Sequence, residues 1–177
     1  MPTPTDDFWL FAYGSLMWDA DFTYAETRPA RLYGYHRALC LYSFNYRGTR
    51  ETPGLVLGLD RGGSCQGLGF RIRGRDREAV LAHLCRREAS EGEYHLRWLR
   101  ISVAGEPVTG AAFVVNHASD YYAGARPVAE AARMVAQGQG KRGACVDYLR
   151  NTVAHLREMG IRDMGLERVL REAERLN

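Results

Sequence analysis

The stretch FWLFAYGSLMW (Phe8 to Trp18) decides how the rest of this chain is read. Phe8 to Tyr13 is short, apolar and aromatic, as a buried strand is, and the pattern stops at Gly14. A glycine there lets the chain turn sharply and brings backbone N–H groups close to a ligand. Residues 31–42 continue the strand pattern with Leu32, Tyr33, Tyr35, Leu39 and Leu41, and Gly34 marks a bend. Residues 55–59 and 66–72 read as two further strands, with Asp60-Arg61-Gly62-Gly63-Ser64 expected to join them as a hairpin. Residues 75–90 change to helical spacing through Val80, Leu81 and Leu84. Two more strands follow at 94–103 and 108–115, with a turn at Gly105-Glu106-Pro107. The remainder is helical. Residues 127–136 start near Pro127, and residues 144–159 place Val146, Leu149, Val153 and Leu156 on one side before Gly160. Asp163 caps a last helix that runs to about residue 175. Strands, one helix, strands and then helices is an α+β order, and it disfavours a nucleotide-binding Rossmann fold.

At 177 residues the chain fits one domain with a real core, predicted over 8–177 behind a loose polar arm at 1–7. Twenty-four basic against 21 acidic side chains leave a net charge of +3. That balance, with no basic run interleaved with aromatics, argues against nucleic acid and a membrane surface as partners. There is no apolar stretch of spanning length and no secretory pattern at the N-terminus, so a cytoplasmic location is expected. Cys40, Cys65, Cys85 and Cys145 are widely spaced, without a C-x-x-C pair or a nearby histidine pattern. They read as reduced, mostly buried thiols, and no metal site is predicted.

Glu88 is the candidate general base. It follows Leu84 and Leu81 at helical offsets of four and seven, which places it on the apolar side of its helix. Burial raises a carboxyl pKa toward the range where it takes and returns a proton. The plainer reading is a helix-end glutamate paired with Arg86 or Arg87. Glu91 and Glu93 compete for the role, although Glu91 falls at or past the helix end. Tyr148 and Asn151 share the 144–159 helix, where core packing is the ordinary use of a tyrosine. Residues 140–143 lack the P-loop pattern, Ser15 is not in G-x-S-x-G, and none of His36, His83, His95, His117 or His155 sits in a metal or deaminase motif.

Four collinear blocks then resemble one family: FAYGSLMWDADF from Phe11, the long RLYGYHRALC…GFRI from Arg31 to Ile72, LCRREASEGEYHLRWLRI from Leu84, and GKRGACVDYLRNTVAHLREMGIRD from Gly140. The chain is similar to the ChaC family of γ-glutamylcyclotransferases, which act on glutathione. The resemblance covers about residues 9–170. It implies a small, mostly antiparallel β-barrel with flanking helices. It implies that the turn Tyr13, Gly14, Ser15 and Leu16 offers backbone N–H groups to the γ-glutamyl part of the substrate. The family's catalytic glutamate falls on Glu88, and a tyrosine of its C-terminal block on Tyr148. Ala144-Cys145-Val146-Asp147 departs from the more polar residues common in relatives. Arg47 and Arg50, in the polar loop 45–53, are candidates to pair with the glycine carboxylate of glutathione. The reaction so implied needs no cofactor, because the substrate brings its own amine nucleophile. Two alternatives stay open at this point: a cyclotransferase for other γ-glutamyl amino acids or amines, and a non-catalytic regulatory protein with the same pocket.

Overall fold

The structure, a computed structural model, describes residues 6–89 and 91–176. Strands β1 (Phe8–Ala12), β2 (Glu26–Ser43), β3 (Gly54–Ile72), β4 (Tyr94–Val103) and β5 (Glu106–Val115) close a barrel in the order β1-β3-β2-β4-β5. β1 pairs antiparallel with β3 from Phe8↔Ile72 to Ala12↔Leu68, and β4 with β5 from Tyr94↔Val115 to Val103↔Glu106. One parallel contact, Trp9↔Gly110 and Leu10↔Ala111, joins β1 to β5. The helices are α1 (Arg77–Glu88), α2 (Val128–Gln137), α3 (Cys145–Glu158) and α4 (Met164–Glu174). The expected α+β barrel with helices is what the chain forms. The predicted arm at 1–7 falls mostly outside the described residues; at its end Asp7 accepts a bond from the Gly74 N–H at 2.9 Å.

The hairpin expected at Asp60–Ser64 does not exist: residues 54–72 form one strand of 19 residues. Straight, it would run about 60 Å at ~3.3 Å per residue, so it must bend. Gly62 and Gly63 supply the bend with φ of +97° and +68°. Beside them β2 bends at Gly34, φ +83°, and its His36 Nδ1 lies 3.1 Å from the Gly62 carbonyl oxygen. Two successive positive-φ glycines suit a reversing turn and a coiled strand equally, and here the neighbouring strand decides.

The chain divides into two compact units, one of residues 1–37 and 59–117, the other of 38–58 and 118–177. The core of the first is the barrel interior: Phe11, Leu32, Leu59, Ile101, Val103, Ala112 and Val114 are buried together. Ile101 and Val103 alternate with less buried neighbours on β4, whereas Phe11, Leu59, Ala112 and Val114 lie in strand stretches whose adjacent residues are buried as well. α1 buries Val80 and Leu84. Its start is held by Arg77, whose guanidinium lies 5.1 Å over the Phe8 ring and 4.7 Å over that of Trp98. The second unit packs α2, α3 and α4 on one another through Ala131, Ala132, Val135, Leu149, Val153, Leu166 and Leu170. Gly160 ends α3 with φ +71°, and Asp163 Oδ1 accepts from the Leu166 N–H at 3.1 Å to start α4, both as expected.

Candidate active site

In the first unit the candidate site begins where β1 ends. Tyr13 leaves the strand, and Ser15–Met17 make a single 3-10 turn, with the Met17 N–H bonded to the Gly14 carbonyl at 2.9 Å. The leading amides of such a turn have no earlier carbonyl to bond. Those of Gly14, Ser15 and Leu16 have no hydrogen-bond partner among the described residues. Gly14 and Leu16 are buried. Leading amides of this kind are the groups of the turn that can bond an outside acceptor.

The turn is braced from within. Arg37, on β2 and 8 % exposed, donates from Nε to the Tyr13 carbonyl and from Nη2 to the Gln66 carbonyl, both at 2.6 Å. The second brace comes from α1. Arg87 donates from Nη1 to Asp21 Oδ1 at 2.7 Å and to the Asp19 carbonyl at 3.1 Å, and from Nη2 to Ser15 Oγ at 3.4 Å. Its Nε lies 3.0 Å from Glu88 Oε1. His83 Nε2 reaches the same Asp21 oxygen at 3.1 Å.

Glu88 is the last residue of α1, and its side chain is 20 % exposed. Burial pushes its carboxyl above the ordinary glutamate range; Arg87 pulls it back, while Glu93 and Asp21 add to the rise. Glu88 thus makes the arginine pair of the plainer reading, and its carboxyl is still held toward the protonated form. Burial likewise raises Glu93, whose Oε2 accepts the Glu91 N–H at 3.0 Å. Glu91 is exposed. Asp21 goes the other way, lowered by its bonds to His83 and Arg87 against the opposing effect of burial. A carboxyl with a raised pKa is therefore tied, through one guanidinium, to the Ser15 turn.

The second unit holds the other two predicted residues. Arg47 donates from Nη1 to the carbonyls of Arg142 at 2.5 Å and Ala144 at 3.3 Å, and its guanidinium lies 5.6 Å over the Tyr148 ring. The Tyr148 hydroxyl accepts the Leu57 N–H at 3.2 Å. Loop 45–53 is thereby fastened to α3. At Gly48 a Cβ would stand 2.2 Å from the Gly54 nitrogen, so only glycine fits. Arg50 is exposed and stacks over Phe44 at 5.1 Å. Cys145 is fully buried, donates to the Leu55 carbonyl at 3.1 Å, and has its thiol pushed up to about 11 by burial, which favours the neutral thiol.

Sequence reasoning brought out the turn and Glu88 but missed Arg37, Arg87 as a link, and the pair His117–Asp60, 2.6 Å apart. For Arg87 a signal existed in its adjacency to Glu88. For Arg37 and His117 there was none, because their partners are distant in the chain.

Comparison with known proteins places this arrangement. The model of the family described as ChaC-like protein matches residues 8–176. The glutathione-specific gamma-glutamylcyclotransferase of Escherichia coli is 31 % identical over 169 residues, covering 95 % of this chain and 73 % of that protein. Glutathione-specific gamma-glutamylcyclotransferase 1 of Mus musculus is 31 % identical over 146 residues, with 80 % and 66 % covered. The crystal structure of the yeast γ-glutamyl cyclotransferase specific to glutathione superposes with a TM-score of 0.85 over 96 % of both chains at 18 % identity, which shows a shared α+β γ-glutamylcyclotransferase fold. With a family match spanning both the turn and Glu88, this chain belongs to the ChaC-like protein family.

Proposed function

We propose that this protein is a γ-glutamylcyclotransferase that cleaves glutathione to 5-oxoproline and Cys-Gly. The observation that carries the reading is Glu88, a half-buried carboxyl raised above its ordinary range and linked by Arg87 to the Ser15 turn, in a chain of the ChaC-like family. The relatives' names supply the substrate.

The γ-glutamyl α-amine attacks its own γ-carbonyl, a five-membered ring closes, and the peptide C–N bond breaks. At neutral pH that amine is an ammonium, so a base must take a proton before attack. The leaving amine must receive one. A carboxyl whose pKa is raised toward neutral serves both transfers better than an ordinary glutamate, and Glu88 is assigned both. The N–H groups of Gly14, Ser15 and Leu16 hold the γ-glutamyl moiety, either at its α-carboxylate or at the carbonyl oxygen as charge develops. Holding the chain folded for ring closure supplies much of the rate, since the attack is intramolecular. No enzyme nucleophile, metal or cofactor is assigned a step. Tyr148 is proposed as a substrate contact on the family resemblance, and Arg47 and Arg50 of loop 45–53 as partners for the glycine carboxylate.

The test is release of 5-oxoproline from glutathione by the purified protein, with γ-glutamyl-alanine as the comparison substrate. Glutathione should be much the better of the two. Equal efficiency removes the glutathione assignment, and no product from either removes the cyclotransferase reading. Arg50→Ala should raise KM for glutathione with kcat nearly intact, as a ground-state contact does.

A further inference from the structure

One guanidinium in the first unit serves carboxylates on two elements. Arg87 gives its Nε edge to Glu88 at 3.0 Å and its two Nη atoms to Ser15 in the turn and to Asp21 and the Asp19 carbonyl just after it. Asp19 Oδ2 stands 3.6 Å from Nη2. A guanidinium is planar and rigid, so groups bound along its edges have fixed directions relative to each other. The contact to Asp21, at 2.7 Å, is the shortest of these, so Asp21 and Asp19 draw on the charge that would otherwise neutralise Glu88 alone. The other ionisable groups facing this cluster are His83 on α1, 3.1 Å from Asp21, and Glu93 before β4, which acts on Glu88 as a like charge.

We propose that Arg87 is the positioning residue of the proton-transfer site, aiming the Glu88 carboxylate at the turn, and that Asp21 sets how much of the Arg87 charge Glu88 feels. This rests on the assignment of Glu88 as the base. It goes beyond that assignment by naming the pair that orients and tunes it. The two partners have opposite consequences. Removing Arg87 takes a cation from Glu88, which then holds its proton to higher pH. Removing the charge of Asp21 takes away a like charge and releases Arg87 toward Glu88, which then ionises at lower pH.

The experiment compares wild type, Arg87→Met, Arg87→Lys and Asp21→Asn. The first readout is the acid limb of the kcat/KM profile with glutathione. The second, independent of turnover, is the titration of the Glu88 side-chain carboxyl by carbon NMR, assigned by its loss in Glu88→Gln. The expected result is a limb and titration moved to higher pH in Arg87→Met and to lower pH in Asp21→Asn. Arg87→Lys retains a point charge without the fork, so its limb should stay near wild type while kcat falls at least about tenfold through lost orientation. A merely structural role for Arg87 would lower activity without moving either readout. Limbs and titrations that stay put in both Arg87→Met and Asp21→Asn, or that move the same way, overturn the proposal. If Arg87→Met does not fold, Asp21→Asn still decides, because Asp21 is 45 % exposed and its loss leaves the core intact. A wild-type protein inactive on both γ-glutamyl substrates overturns the function, whereas the NMR titrations judge Arg87 and Asp21 on their own.

Discussion

The Arg37 guanidinium donates to the Tyr13 carbonyl at 2.6 Å, and this contact orients the first peptide of the candidate binding turn. In a trans peptide the C=O and the next N–H point in opposite directions. Anchoring the Tyr13 oxygen to a buried cation therefore turns the Gly14 N–H away from Arg37. The same cation donates to the carbonyl of Gln66, inside β3, at 2.6 Å, so it ties the turn to that strand. Arg37→Met keeps the volume and removes both donors. Leaving a part-buried carbonyl without its charged donor costs on the order of 1–3 kcal/mol, and the Gln66 oxygen keeps the Cys65 thiol at 3.5 Å, so the variant should lose roughly 1–3 kcal/mol in chemical denaturation. A loss below about 0.5 kcal/mol, within the range of ordinary surface changes, would show that the brace is not needed.

Glu88→Gln should fold normally and lose at least about a hundredfold in turnover, the scale of acid–base catalysis. The sign of its effect on stability follows from the raised carboxyl. A group whose folded pKa lies above the unfolded one favours the fold below the unfolded pKa and loses that advantage as pH rises through the folded pKa. At neutral pH the charged Glu88 is therefore a cost, and the neutral glutamine should give an equal or higher Tm. In wild type the acid limb of kcat/KM should sit above the ordinary glutamate range. Near-normal turnover in folded Glu88→Gln would move the assignment to Glu93, the other half-buried and raised carboxyl of the cluster.

If the turn acts through its backbone, Ser15→Ala keeps the N–H and loses only the long 3.4 Å contact to Arg87. It should cost little. Gly14→Val puts a branched side chain where the backbone must come close to the ligand, and binding of 5-oxoproline should be lost. Calorimetry on the two variants decides this, and normal binding by Gly14→Val would refute it.

In the second unit Glu167 lies among Arg157 Nη2 at 3.1 Å and Arg162 Nη2 at 3.4 Å, with its side chain 5 % exposed. Hydrogen bonds from Arg157, working against burial, and then from Arg162 lower its carboxyl to about 2. Stability from this cluster is present above the unfolded pKa of about 4.3 and is lost as pH falls through about 2. Glu167→Gln should accordingly lower Tm at neutral pH, with the difference from wild type shrinking as pH falls across that window. A Tm gap that does not change with pH would show that charge is not what the cluster contributes.

Much of the candidate site could be read along the chain because the physics that places its residues is local. Apolar residues at Val80 and Leu84 bury one side of α1, and helical spacing then puts Glu88 on that side. A buried aromatic strand that breaks at Gly14 leaves free amides in the next turn, whatever surrounds it. The Asp163 cap and the Gly160 stop depend on bonds only three to five residues long. Tertiary structure alone decided the rest. Gly62-Gly63 is compatible with a reversal or a bend, and the β2 strand beside it selected the bend. Arg37 reads as an exposed strand residue until the barrel closes around it and its two carbonyl partners arrive from positions 24 and 29 residues away. Arg87 finds Ser15 across 72 residues. Periodicity reports which side of an element is apolar, but which polar group meets which inside the fold depends on how separate elements pack.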